Sequence, residues 1–249
     1  MTELLHETFV VYGKHLKDFL LLAVVIQIPF SFILWWTIGT EWWNYLILSI
    51  AIILLGALVY GAGIYAVGQQ YVTRKVDVVQ CYQRVQWRLL SLLWITVAIA
   101  GMFIGGAALV PLIVPFIVGM VFTIYWSVAQ QASIIEGHKY AAALNRSQEL
   151  VRGQWWRVFG ITITFLLVGI GLTLVIIAPF LIAMTVVGTG SDSMGDGLLR
   201  FFGILAAGTV VSPILAIAWT LLYYDLRVRK EDYDLGIMSQ ELGLELVEA

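Results

Sequence analysis

Val158–Val187 reads VFGITITFLLVGIGLTLVIIAPFLIAMTVV, 30 residues without one Asp, Glu, Lys or Arg. A helix needs about 20 predominantly apolar residues to cross ~30 Å of hydrocarbon. The stretch is long enough to cross with tilt or with an interfacial end. Working outward, five more segments meet the same criterion: Phe19–Ile38, Tyr45–Val67, Leu89–Val110, Leu112–Ile135 and Leu198–Tyr224. All six are apolar on every face, whereas barrel strands alternate polar and apolar over ~10 residues. The chain of 249 residues is 61% hydrophobic and 12% charged. Soluble domains run near 45–50% apolar and about 25% charged, so this composition excludes a water-soluble surface. A net charge of −2 with this hydrophobicity excludes disorder, and the single cysteine, Cys81, excludes a disulfide scaffold. The expected fold is all-α: a polytopic integral membrane bundle of six transmembrane helices.

The cationic residues set the threading. Lys14 and Lys17 precede the first span, and Arg74, Lys75, Arg84 and Arg88 lie between the second and third. Lys139, Arg146, Arg152 and Arg157 lie between the fourth and fifth, and Arg227, Arg229 and Lys230 follow the sixth. Arg200 falls on the other side, where the connections hold Glu41, Asp192 and Asp196. The positive-inside rule places both termini in the cytoplasm. The mixed-charge stretch before the first span reads as a permanent segment rather than a cleaved signal. Trp35, Trp36, Trp42 and Trp43 are expected at the outer interface, with Trp87, Trp155, Trp156, Tyr223 and Tyr224 at the inner one.

An internal repeat organises the six spans. Tyr12–Val25 (YGKHLKDFLLLAVV), Tyr82–Ile95 (YQRVQWRLLSLLWI) and Val151–Ile163 (VRGQWWRVFGITI) each place basic residues three to five apart ahead of an apolar run. The second and fourth spans end alike, in AVGQQYV (Ala66–Val72) and SVAQQAS (Ser127–Ser133). The expectation is three two-helix units, about 1–67, 68–136 and 137–224, each preceded by an amphipathic cytoplasmic elbow helix. They form one domain over 1–235, followed by a cytoplasmic tail at 236–249. In the elbow at Thr73–Leu90, Val76, Val79, Tyr82, Val85 and Leu89 recur near helical spacing, as in a helix lying in the interface.

The residues that carry chemistry are sparse. No ionisable group falls mid-span, which argues against a proton relay. His6, His15 and His138 lie in different units, and neither HExxH nor a nucleotide-binding GxxxxGK[ST] occurs. The expectation is therefore no catalytic, cofactor or metal site, and no nucleic-acid partner. Cys81 reads as an inert interfacial thiol. Gly101-x-x-x-Gly105 and Gly203-x-x-x-Ala207 are small-residue faces for close helix approach, and Pro29, Pro179 and Pro213 are kink positions within spans.

Two cytoplasmic stretches carry more. Ser133–Ile161 (SIIEGHKYAAALNRSQELVRGQWWRVFGI) contains Glu136-Gly137 and Asn145-Arg146-Ser147, and Leu222–Leu235 reads LYYDLRVRKEDYDL. With the six-span, three-unit layout, they resemble the membrane-domain family named after glycerophosphoryl diester phosphodiesterases, over about Leu4–Leu235. The resemblance implies a bacterial cytoplasmic-membrane domain with no established activity of its own. The catalytic barrel of such enzymes opens with His-Arg-Gly, which this chain lacks. Glu136, Arg146, Asp225, Arg227 and Arg229 are expected to form a cytoplasmic ion-pair network locking the third elbow to the end of the sixth span. The functional expectation is a non-enzymatic accessory subunit or scaffold, with membrane lipids and a protein as partners. The alternative is a small-solute or lipid transporter with its site between repeats.

Overall fold

The computed structural model describes residues 2–36, 42–108, 113–187, 194–231 and 233–244, in which every regular element is helical. The first helices are α1 (Thr2–Lys14), α2 (Leu16–Trp36) and α3 (Trp42–Thr73). The second group is α4 (Val78–Gln86), α5 (Leu89–Ala108), α6 (Ile113–Tyr125) and α7 (Ala129–Ile134). The third is α8 (Ala141–Val151), α9 (Trp155–Val187) and α10 (Met194–Glu231), with α11 (Leu235–Leu242) closing the chain. A short helix followed by two long apolar segments thus occurs three times.

Five stretches are long and apolar enough to cross a membrane: Ile53–Thr73, Leu89–Gly106, Phe116–Ile134, Trp155–Val186 and Gly197–Glu231. The first span read from the sequence corresponds to α2, a 21-residue helix that stands outside these five. Thr37 and Ile38 lie outside the described residues, as do Glu41, Asp192 and the side chains of Trp35, Trp36, Trp42, Trp43 and Asp196.

The three groups close into a ring. α5 packs on α3, α9 on α6 and α2 on α10, so each first long helix meets the second long segment of the preceding group. The short helices follow the same rule: α4 sits on α3, α8 on α6 and α7, and α1 on α10. Coverage is unequal around the ring. In the apolar stretch of α3, 61% of residues are buried, against 11% in that of α9, so α3 is central and α9 peripheral. α3 and α10 approach closely at Gly63, where a Cβ would stand 2.8 Å from that of Ala216.

Several local readings are corrected. Leu112–Ile135 was expected as one continuous helix, but the chain turns at 126–128 between α6 and α7. No Gly or Pro marks the break. Ser147 of α8 stabilises it, donating to the Tyr125 carbonyl at 2.7 Å and accepting from Val128 N–H at 3.3 Å. These are backbone groups that a helix end would otherwise leave orphaned. The expected Gly101/Gly105 face is open, while α5 and α6 meet where a Cβ on Gly119 would lie 3.0 Å from the Met102 carbonyl and 3.1 Å from Gly106 Cα. Pro29, Pro179 and Pro213 lie inside unbroken helices.

The elbow α4 begins at Asp77, whose carboxylate accepts from Val79 and Gln80 N–H at 3.0 and 3.3 Å, an N-cap worth about 1 kcal/mol. Its buried side is Cys81 and Val85, while Val79, expected on the apolar face, is exposed. Cys81, read as an interfacial thiol, is enclosed by the protein. Burial, with Asp77 nearby, pushes its thiol up to about 12.

Candidate ion-pair site

Periodicity along the charged end of α10 decides the site. Residues three and four apart share a helix face, so Tyr223, Arg227 and Glu231 line one side and Asp225 and Arg229 another. Three segments converge on the first side. Glu136 follows the end of α7, Arg146 projects from α8, and Glu241 comes from α11. Gly137 makes the approach of Glu136 possible in two ways. Its φ of +87° favours glycine, and a Cβ there would stand 2.9 Å from the Arg88 guanidinium, which itself donates to the Ser133 carbonyl at 2.8 Å.

Arg227 is the hub, with a side chain only 6% exposed. It donates to both oxygens of Glu241 at 2.6 and 3.0 Å, in fork geometry, and through Nε to Glu231 at 3.0 Å. Its Nε lies 3.6 Å from Glu136, and its guanidinium stacks 3.8 Å above the Tyr233 ring centre. Arg146 bridges the remaining carboxylates, donating to Glu136 and Glu231, each at 2.7 Å. Tyr223 hydroxyl donates to Glu136, and Tyr233 hydroxyl to Glu241 at 3.0 Å. His138 Nε2 lies 3.2 Å from Glu136. Burial disfavours the charge on Arg146, yet its bonds to Glu136 and Glu231 outweigh that and raise its pKa. Tyr233 is pushed up by burial and by Glu241, which keeps its hydroxyl a donor. Charged, desolvated, fork-like bonds of this kind are the stronger class of protein hydrogen bond.

The expected five-residue network therefore divides. Glu136, Arg146 and Arg227 meet as the sequence implied. Asp225 and Arg229 do not join them; Asp225 instead accepts from Arg157 at 2.5 Å and Arg229 at 3.0 Å. The sequence reading missed Glu231, Glu241, Tyr223 and Arg157. The i, i+4 spacing of Tyr223, Arg227 and Glu231 was a usable signal for two of them. Tyr223 is corrected from an interfacial anchor to an interior residue, while Tyr224 is half-buried at the edge of a cleft. Tyr223 is fully buried, and Tyr224 stacks on Tyr233 with ring centres 5.9 Å apart. Trp87 and Trp156 are broadly exposed, as interfacial residues would be.

The beginning of the stretch read as a cytoplasmic tail is helical and docked. Leu242 and Met238 are buried, and Tyr65 hydroxyl donates to the Leu242 carbonyl at 3.4 Å. Asp234 caps α11, accepting from Ile237 N–H at 2.8 Å, and Gly243 ends it with φ +66°. α11 is thereby a structural part of the charged end. Comparison with protein-family models, curated proteins and solved structures found no match.

Proposed function

We propose that this chain is a non-enzymatic, multi-pass accessory subunit or scaffold of a bacterial cytoplasmic membrane, related to the membrane domains named in the sequence analysis. In this reading α2 is a sixth span, α1, α4 and α8 are cytoplasmic elbows, and both termini face the cytoplasm. The observation that carries it is the Arg227 cluster. The ionisable groups that converge most closely tie α8, α10, α11 and the end of α7 into a lock at one end of the bundle. They do not form a path through its apolar length. A braced, charged end of this kind supports docking of a partner protein or of lipid headgroups.

The test is purification from native membranes in a mild detergent, followed by mass spectrometry. A stoichiometric protein partner upholds the subunit reading. A chain recovered alone, with a solute between its helices, would replace it with the transporter. One observation favours that second reading: a cavity of about 260 Å³ between α2, α3 and α10, where Gln27, Tyr60 and Ser212 interrupt an apolar lining. Gln27 reaches the Ile204 carbonyl at 3.4 Å, and the Ser212 hydroxyl is buried without a bond.

A further inference from the structure

The ring has one joint that differs from the other two. α4 also touches α2, and α8 also touches α5, so a short helix of one group leans on the first long helix of the group before it. The equivalent contact of α1 with α9 is at most marginal. A cleft of about 930 Å³ stands there instead, between Glu3, Leu4 and Glu7 of α1 and Arg157 at the start of α9. Its volume lies within the range of roughly 300–1,000 Å³ common for small-molecule sites.

The walls carry charges of both signs. Two guanidiniums, Arg157 and Arg229, share the single carboxylate of Asp225. Arg157 commits Nη1 to Asp225 and Gln154, and Arg229 commits Nε to Asp225, so each fork keeps further N–H donors. That group is net positive. The lining also carries Glu3 and Glu7, one helical turn apart on α1, and Asp234 before α11. Tyr71 donates to Glu7 at 2.7 Å and holds it in place. The lining also includes apolar Leu4, Leu221, Val228 and Met238. A simple anion would meet the three acids, and a polyamine would meet the two arginines. Among the described residues no three His, Cys, Asp or Glu side chains are grouped to hold a metal ion.

We propose that this cleft binds a zwitterionic phosphoethanolamine group, its phosphate ester on Arg157 and Arg229 and its ammonium on Glu3 and Glu7. Two sources carry that chemistry: phosphatidylethanolamine of the bilayer and a soluble phosphoethanolamine ester. The inference rests on the reading above, in which α1 and the start of α9 lie at the cytoplasmic membrane surface.

The experiment is native mass spectrometry of the full chain in detergent with phosphatidylethanolamine and phosphatidylglycerol of matched acyl chains. Phosphatidylethanolamine should be retained about tenfold more strongly, the size of one charged hydrogen bond. Glu7→Gln should abolish that preference, and Arg229→Gln should weaken both lipids about tenfold. Lys75→Ala, an exposed cation outside the lining of the cleft, should change neither. Displacement by soluble phosphoethanolamine assigns a free ligand, and retention against it assigns the lipid; both uphold the headgroup chemistry. Equal retention of the two lipids by the unaltered chain, or a preference that survives both substitutions in variants of unchanged melting temperature, would overturn the proposal. A stoichiometric protein partner together with equal lipid retention would leave the scaffold reading standing and remove this one alone.

Discussion

The charged end of α10 presents two ion clusters built from the same kinds of side chain, and they differ in what surrounds them. Arg227 is 6% exposed and Glu136 8%, whereas Arg229, two residues along the same helix, is 52% exposed. The first cluster is enclosed by α7, α8 and α11, and the second opens on a cleft. Enclosure lowers the local dielectric, so each bond is stronger and each missing partner more costly. Exposure leaves Asp225, Arg157 and Arg229 closer to water, where a pair contributes about 0–1 kcal/mol. One cluster is suited to holding helices together and the other to exchanging partners.

The sharpest way to break this contrast is Arg227→Ala. It removes the fork on Glu241, leaving that carboxylate with Tyr233 alone, and takes one cation from the group around Glu136 and Glu231; loss of one partner from a buried pair costs about 3–5 kcal/mol. Thermal unfolding in detergent should fall by roughly 10 °C at ~2–4 °C per kcal/mol for a chain of this size. Wild-type melting would mean that the enclosed cluster is no lock.

Gly68→Val probes the same enclosure from the apolar side. A Cβ there would stand 2.7 Å from Leu242 and 3.0 Å from the Tyr224 hydroxyl. Overpacking of about 1–3 kcal/mol should push α11 away and pull Glu241 from Arg227. Limited proteolysis should then cut within 232–244 in the variant well before the parent chain. Equal cleavage would show that α11 contributes nothing to the closed cluster.

Arg229→Ala is the small-effect control, expected to shift stability by no more than about 1 kcal/mol. A loss as large as that of Arg227→Ala would erase the distinction between the two faces. A near-neutral result makes the lipid-binding effect of Arg229→Gln readable as a property of the cleft.

Much of this site is legible in the sequence, and the failures share a cause. Glu136 reads as the point where the fourth span leaves the membrane, with Arg146 and Arg227 close by in depth. Asp225 and Arg229 were added on the same ground. They separated because α10 continues as helix to Glu231, past the boundary drawn at Tyr224, and helical rotation sends alternate charges to different faces. Glu241 had no signal, since its meeting with Arg227 depends on the chain reversing after α10. The break at 126–128 was equally silent, because Ser147, from a different helix, satisfies its backbone.

Hydropathy and the placement of Lys and Arg, read along the chain alone, settled that this is a helical protein of long apolar segments in three similar groups, with its cations gathered between them. Such properties sum over some 20 neighbouring residues, so no single contact can reverse them. Tertiary structure decided which charges are enclosed, where α6 ends, that α11 folds back, and that one joint of the ring stands open. Each of those outcomes turns on a few ångströms between segments far apart in sequence, a distance at which hydrogen bonds and close packing either form or fail.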